Sequence, residues 1–253
     1  MKPAFLSAAL LLASTIAVTA EAQNIRFAVI ADPHIGCDGA DTALRDAVSS
    51  INADPDTQFV LFLGDIADRG DAGSYRRASK IISALHKPYY VTTGNHDAKS
   101  PERYAAFREV FGRGDFRFDI DGVRIVGLPT GPSEPNRHAT LSDDDAAALA
   151  EACRDTLPVI VAAHHTPDLI ARGERIFAAV DTVRIVLWLA GHIHRNTVQA
   201  TVPGPSAVNV STLEGGRYNI IEITDGVLSI TTVAPRTAEE RCWYETRLYE
   251  RHK

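Results

Sequence analysis

Cysteine is scarce in this sequence, with 3 among 253 residues, and so few thiols exclude a disulfide-stapled scaffold or a zinc-finger array. Positive charge is not in excess, because 26 Lys and Arg stand against 32 Asp and Glu, a net charge of −6. Binding to nucleic-acid polymers is therefore not expected, since phosphate backbones require clustered positive charge. Low-complexity tracts and internal repeats are also missing. Ordinary contents of hydrophobic (45%) and charged (23%) residues exclude a disordered or collagen-like chain.

Long apolar runs are missing too, except at the N-terminus. Lys2 is followed by an apolar run over residues 5–20 and by an A-x-A cleavage site at residues 20–22. This pattern predicts a secretory signal peptide over residues 1–22. An alternative cleavage site lies at residues 18–20, and an uncleaved anchor is disfavoured because the run is short for a membrane span. We therefore expect an exported protein, periplasmic or secreted, without a stable membrane anchor.

Export would permit a disulfide bond among the cysteines. Cys153 and Cys242 could pair, or Cys37 could take part, and at least one of the three stays free. The sequence does not choose between these pairings, and it does not indicate an oligomeric state.

Strand and helix patterns alternate in the first half of the mature chain, and hairpin patterns fill the second half. Short apolar runs predict strands at residues 25–31, 59–63, 89–93, 116–120, 123–128, 159–163, 185–190, 197–202, 207–210, 218–223 and 227–233. Helical spacing predicts helices near residues 44–51, after a cap at Ser74, over 102–111, and after a capping box at Ser142. These patterns indicate a mixed α/β sandwich in one domain, residues 23–235. A charged tail, residues 236–253, could be a docked helix or a frayed end.

Metal-ligating side chains follow five of the predicted strands. They are Asp32 and His34, then Asp65 and Asp68, then Asn95 and His96, then His164 and His165, and last His192 and His194. Six of the nine histidines fall in these five places. Open α/β sheets bind ligands at the carboxyl ends of their strands, so we expect these side chains to converge. A mixture of carboxylate, imidazole and amide ligands suits Zn, Mn or Fe better than Ca, and there are enough ligands for two ions.

The ordered motifs resemble those of the calcineurin-like metallophosphoesterases. They are D-P-H at residues 32–34, G-D-I-A-D at 64–68, G-N-H-D at 94–97, H-H at 164–165 and G-H-I-H at 191–194. The resemblance extends over about residues 25–225. It implies a four-layer α/β/β/α sandwich, in which helices flank two mixed sheets. It also implies a centre of two divalent or mixed-valence ions (manganese, iron or zinc).

The resemblance also implies a role for each motif residue. Asp32, His34 and His194 would bind one metal, and Asn95, His164 and His192 would bind the other, with Asp65 bridging both. His96 would face the leaving-group oxygen, oriented by Asp68. His165 is the alternative to His164, because the chain has H-H-T-P where the family often has H-H-P-P.

The implied activity is hydrolysis of a small phosphodiester, such as a cyclic nucleotide, by in-line attack of a metal-bridging hydroxide. The G-H-I-H motif resembles that of the single-domain, class III cyclic-nucleotide and related phosphodiesterases. The alternatives are a phosphomonoesterase or protein Ser/Thr phosphatase, in which Arg69 would contact phosphate, and a non-catalytic metal-binding scaffold. Arg137 and His138, in a Gly- and Pro-rich segment, are further candidates for substrate contact.

Overall fold

The computed structural model describes residues 24–132, 139–178, 180, 184–200, 206–209, 213 and 216–247. The predicted signal peptide, Arg137, His138 and the last six residues lie outside this part of the chain. The strands are β1 Asn24–Ile30, β2 Phe59–Leu63, β3 Tyr89–Thr92, β4 Phe116–Ile120, β5 Val123–Leu128, β6 Val159–Ala163, β7 Ile185–Ala190, β8 Thr197–Ala200, β9 Ser206–Asn209, β10 Tyr218–Thr224, β11 Val227–Ala234 and β12 Glu239–Arg247. The helices are α1 Ala40–Ala53, α2 Ala72–Ile82, α3 Ala105–Phe111, α4 Asp143–Ala152 and α5 Gly173–Ala178.

The strands form two six-stranded mixed sheets. The first has the order β12-β11-β10-β1-β2-β3, in which β1, β2 and β3 are parallel and β10 to β12 are antiparallel. The second has the order β4-β5-β6-β7-β9-β8, with a parallel centre from β5 to β9 and antiparallel edges. The parallel strands of each sheet therefore deliver their carboxyl ends to one edge.

Alternation along β1 shows how the layers are separated. Phe27 and Val29 face a core between the two sheets, whereas Ala28 and Ile30 face a core shared with α1 and α2. A third core lies between the second sheet and α4 and α5, where Trp188 packs near Leu149. The expected four-layer α/β/β/α sandwich is confirmed.

The helix starts agree with the sequence in one case and differ in another. Ser142 caps α4, accepting a hydrogen bond from the Asp145 amide at 3.1 Å as expected. Ser74 does not cap α2, because Asp71 occupies the N-cap and accepts from the Ser74 amide at 2.9 Å. A carboxylate cap also interacts favourably with the positive end of the helix dipole. The predicted helix over 102–111 is shorter at its start, and α5 was not predicted.

The charged tail contains a strand, so its interpretation as a terminal helix or frayed end is wrong for residues 239–247. β12 pairs with β11 in antiparallel fashion and forms the edge of the first sheet. Trp243 and Tyr244 pack against the core between the sheets, which gives the segment an apolar attachment. The sandwich therefore extends beyond residue 235.

Two further expectations can be compared with the structure. The Cys242 thiol is free and exposed on β12, whereas Cys153 is buried behind the second sheet, so the pairing of these two cysteines is absent. Within the described residues, no helix combines the length and the apolar character needed to span a membrane.

Candidate metal centre

The predicted ligands converge at the strand ends of both sheets. Those that follow strands of the first sheet are Asp32, His34, Asp65 and Asn95. Those that follow strands of the second sheet are His164, His192 and His194. Four overlapping groups of three side chains have their ligand atoms within 4.8 Å of one another, close enough to hold a metal ion. The candidate centre therefore joins the two sheets.

One side of the centre is formed by Asp32, His34 and His194. The Nε2 atoms of His34 and His194 are 3.2 Å apart, and His194 Nε2 is 3.5 Å from Asp32 Oδ1. The His192 amide donates to both carboxylate oxygens of Asp32 at 3.1 Å, which fixes their orientation. Two imidazole nitrogens and a carboxylate oxygen that converge in this way supply the electron pairs that a cation accepts, so the group fits a metal ion.

The other side is formed by Asp65, Asn95, His164 and His192. His164 Nε2 is 3.2 Å from Asp65 Oδ2 and 3.0 Å from Asn95 Oδ1, and His192 Nδ1 is 2.9 Å from the same amide oxygen. His164 Nδ1 is 2.8 Å from the carbonyl oxygen of Leu63. Since that oxygen can only accept, Nδ1 carries a proton, and Nε2 is the nitrogen that faces the centre and could bind a metal ion once deprotonated. This group also fits a metal ion.

His165 lies beside the centre but turns toward Thr130. Its amide donates to Thr130 Oγ1 at 3.1 Å, and its Nδ1 is 3.1 Å from the same oxygen. The His165 ring is 4.6 Å from the rings of both His164 and His192, measured between centroids. His164 is thus the histidine of this pair that contacts Asp65 and Asn95, whereas His165 joins His164 and His192 in one of the four groups that could hold a metal ion.

The backbone at the centre is unusual. Five of the converging residues have φ between 44° and 70°, namely Asp32, His34, Asp65, His192 and His194. Asp, Asn and His tolerate this left-handed region better than other non-glycine residues. Glycine is required where loops meet, because a Cβ on Gly94 would lie 2.2 Å from Asp65 Oδ1 and one on Gly191 would lie 2.7 Å from Asp32 Oδ2.

His96 is held beside the centre by two acidic residues. Its amide donates to Asp65 Oδ1 at 2.7 Å, and its Nδ1 is 3.0 Å from Asp68 Oδ1 and 2.9 Å from the Asp68 carbonyl oxygen. Both Asp68 atoms accept, so Nδ1 is the donor. His96 Nε2 lies 4.0 Å from Asp65 Oδ2 and is therefore the nitrogen turned toward the centre.

For Asp65 and His164, burial and the neighbouring charges shift the pKa in opposite directions, whereas for His165 both lower it. Burial alone would raise the pKa of Asp65, but the neighbouring His164 and His96 hold it well below its usual range. Burial alone would lower the pKa of His164, but the Asp65 and Asp32 carboxylates raise it to about 9. Burial and the adjacent His164 lower the pKa of His165 far below its ordinary value, so that ring is neutral. The opposite shifts of Asp65 and His164 thus reflect the attraction between a carboxylate and an imidazolium in a buried site.

Asp97 is a supporting residue that the sequence analysis did not assign to the site. Its Oδ1 accepts from the amides of Ile66 and Ala67 at 3.1 and 3.2 Å and from the Tyr75 hydroxyl at 2.9 Å, and its Oδ2 accepts from the Gly94 amide at 2.8 Å. Full burial and the nearby Asp65 charge raise the pKa of Asp97 to about 7, against these hydrogen bonds. Asp97 therefore ties the loop after β2 to the loop after β3. The position of Asp97 at the end of the G-N-H-D motif is the sequence feature that could have indicated a role at the site.

Of the three predicted substrate contacts, the structure describes only Arg69. Arg69 lies at the rim with 86% of its side chain exposed, and its Nε is 3.9 Å from Asp68 Oδ2. Arg137 and His138 belong to the segment outside the described residues.

Comparison with known proteins adds a family and a fold. The model of the family described as calcineurin-like phosphoesterase matches residues 25–196. A probable cyclic nucleotide phosphodiesterase of Rhodopseudomonas palustris is 31% identical over 162 residues, which are 56% of this chain and 58% of that protein. A probable glycerophosphodiester phosphodiesterase of Arcobacter nitrofigilis is 28% identical over 176 residues, 60% of this chain and 63% of that protein. The matched segments thus span about three-fifths of the length of these curated relatives.

A dimetal phosphatase from Danio rerio is similar in structure, with a TM-score of 0.63 at 14% identity over 86% of this chain and 98% of the other. At that identity the likeness shows the fold alone. The family match covers more than half of the chain. Within the matched residues, the His and Asp groups that could hold metal ions lie in the loops that follow the strands. The chain belongs to the calcineurin-like phosphoesterase family.

Proposed function

We propose that this protein is an exported phosphodiesterase that uses two metal ions to hydrolyse a small diester. The observation that carries the proposal is the pair of donor groups that share one carboxylate. Asp32, His34 and His194 would hold one ion, Asn95, His164 and His192 would hold the other, and Asp65 would contact both. When bound, the ions would supply Lewis acidity that activates water and neutralises charge on the phosphoryl oxygens.

His96 supplies the proton for the leaving group in this proposal. Asp68 accepts from Nδ1, so the ring keeps one orientation and directs Nε2 at the reacting region. The hydrogen bond from the His96 backbone amide to Asp65 Oδ1 fixes the distance between the proton donor and the shared carboxylate. Such a positioned acid contributes typically ~10²–10⁴-fold to a rate.

The preference for diesters is supported by the two curated relatives, each named a probable phosphodiesterase. The matched share of those relatives is partial, so the substrate of this chain is part of the proposal. The sharpest test is hydrolysis of bis-p-nitrophenyl phosphate by the Mn-loaded protein, compared with p-nitrophenyl phosphate and with cyclic nucleotides. We expect turnover of the diester, its loss on chelation, and its return when Mn or Zn is added.

Replacement of His96 tests the assigned proton donor separately from the metals. The His96→Ala variant should bind metal as the wild type does, yet turn over esters of poorly acidic alcohols more slowly by ~10²-fold or more. An unchanged rate on such esters would refute the role of His96. A fully metallated protein that is inert to monoesters and diesters would refute the enzyme assignment, and a preference for monoesters would favour the phosphomonoesterase alternative.

Export is proposed on the pattern of residues 1–22 alone. N-terminal sequencing of the protein recovered from the producing cells is the direct test. We expect the mature chain to begin at Gln23, and a retained Met1 would contradict export by cleavage.

A further inference from the structure

A lysine that the proposed reaction does not use lies against the proposed proton donor. The Nζ atom of Lys99 is 2.7 Å from His96 Nδ1 and 3.0 Å from His96 Nε2. The Lys99 amide donates to the His96 carbonyl at 3.1 Å, so the two side chains leave the same short helical turn. This contact places a positive charge on the side of the centre where the leaving group would depart.

The hydrogen-bond partners of Lys99 leave most of its ammonium group unused. His96 Nδ1 already donates to Asp68, so Lys99 can donate only to Nε2, and only while Nε2 is unprotonated. When Nε2 carries the proton meant for the leaving group, Lys99 has no acceptor on the ring and its donors are available to another group. Asp68 Oδ1 is 4.0 Å from Nζ, beyond hydrogen-bond distance. An ammonium carries three donors, and the Lys99 side chain is 46% exposed. At least one donor is therefore available to a further group.

Arg69 supplies a second positive charge at the same rim. It is largely exposed, and its nearest carboxylate is again Asp68, at 3.9 Å. One carboxylate, already hydrogen-bonded to His96, thus lies near two cations, and the rim keeps a surplus of positive charge. That surplus is local, because the whole chain has a net charge of −6.

We propose that Lys99, assisted by Arg69, binds an anionic group on the departing alcohol, so that the preferred diester carries a carboxylate or phosphate on its leaving group. The inference rests on the proposed function, because His96 marks the leaving-group side only if it is the proton donor. The leaving oxygen would be hydrogen-bonded to His96 Nε2, and the anion would be hydrogen-bonded to Lys99 Nζ. These two nitrogens are 3.0 Å apart, so the leaving oxygen and the anion are separated by at most two hydrogen-bond lengths and that distance. The anion would therefore be a few bonds from the ester oxygen.

The test compares two diesters that differ by one carboxylate on the leaving group, methyl 4-nitrophenyl phosphate and methyl 3-carboxy-4-nitrophenyl phosphate. A third diester with a phosphonate in place of the carboxylate distinguishes the two anions. In the Mn-loaded wild type we expect a higher kcat/KM for the charged diesters. The ratio of charged to neutral kcat/KM should fall ~10-fold in Lys99→Gln and be kept in Lys99→Arg, since a charge-assisted hydrogen bond is worth about that factor.

Lys80→Gln is the matched control, because Lys80 is an exposed lysine in the last turn of α2. Its ratio should equal that of the wild type, and Mn binding should be equal in all variants. A ratio that Lys99→Gln leaves unchanged, or that Lys80→Gln lowers equally, overturns the inference alone. If the wild type hydrolyses none of these diesters, both the proposed function and the inference that rests on it are overturned.

Discussion

At the scale of single residues, Asp97 shows how much of the centre depends on a side chain that would touch no metal. Three backbone amides and the Tyr75 hydroxyl donate to its carboxylate. We predict that Asp97→Asn lowers the free energy of unfolding by ~2–3 kcal/mol, because an amide nitrogen would replace one acceptor and face a buried donor. Urea unfolding of the metal-free protein measures this loss.

The Asp97→Asn variant should also bind Mn more weakly, since the loops that carry Asp65 and Asn95 lose their tie. Tyr75→Phe is the matched control, because it removes one of the four hydrogen bonds and should cost only ~1 kcal/mol. Equal losses in the two variants would contradict the tie between the loops.

The residues that follow the strands could be predicted, but their supports could not. Asp32, Asn95 and His192 are visible in the sequence because an apolar run stops immediately before each motif. Asp97 and Thr130 act on backbone amides of segments distant in sequence, as the Thr130–His165 contact shows. Only the packing of two loops reveals such a partner. The sequence likewise could not show that His164, and not His165, lies against Asp65.

At the scale of secondary-structure elements, Arg124 joins the β4–β5 hairpin to the end of α4. Its guanidinium donates to both carboxylate oxygens of Asp119 at 2.7 Å, to the Ala152 carbonyl at 3.0 Å and to Asp155 Oδ2 at 2.6 Å. These hydrogen bonds hold the pKa of Asp119 and of Asp155 below the usual range for Asp. The unfolded chain therefore binds more protons than the folded chain in acid.

This linkage predicts the pH dependence of stability. The contribution of Arg124 is present above the unfolded pKa of Asp, about 4, and is lost as the pH falls through the lower folded values. Arg124→Met should lower the free energy of unfolding by ~2 kcal/mol at pH 7, discounted because both carboxylates are about half exposed. Urea unfolding between pH 2 and 7 should show the gap shrinking toward low pH, and a constant gap would contradict the linkage.

β12 is an edge strand whose attachment depends on Trp243. The ring packs against the core between the sheets, and its Nε1 donates to the buried Asn219 Oδ1 at 3.1 Å. We predict that Trp243→Ala lowers the free energy of unfolding by ~2–4 kcal/mol, measured by urea unfolding. Arg241→Ala, at an exposed residue of the same strand, should change the free energy of unfolding by less than ~0.5 kcal/mol. A small effect of Trp243→Ala would mean that β12 adds little to the sandwich.

The sequence did not predict β12 because two signals were missing. Its residues are mostly charged, and an irregularity in the β11 pairing at Ile230/Thr231 breaks the alternation of apolar and polar positions. Trp243 and Tyr244, which are adjacent, both reach the core. The N-cap of α2 was predicted wrongly for a different reason. Asp71 and Ser74 are both good N-cap residues, and only the backbone conformation shows that the helix begins after Asp71.

At the scale of the whole molecule, the candidate centre connects the two sheets near their parallel strand ends. Metal binding should therefore stabilise the whole sandwich and not one loop. With Mn at about 1,000 times its dissociation constant, we expect ~4 kcal/mol of added stability. Thermal unfolding with Mn and with EDTA measures it, and His194→Ala should reduce the gain. An equal Tm with and without Mn would contradict a metal centre that joins the sheets.

The left-handed backbone at five of the candidate ligands also restricts how this site can change by mutation. A β-branched or bulky residue at Asp32, His34, Asp65, His192 or His194 meets a steric penalty of ~1–2 kcal/mol before any metal is considered. Asn, Asp, His and Gly escape most of it. Mutations at these positions are therefore tolerated mainly when they introduce Asn, Asp, His or Gly, and the first three of these can bind a cation. In a relative that has lost the metal, we expect Asn or Gly to be the commonest replacements at these five positions.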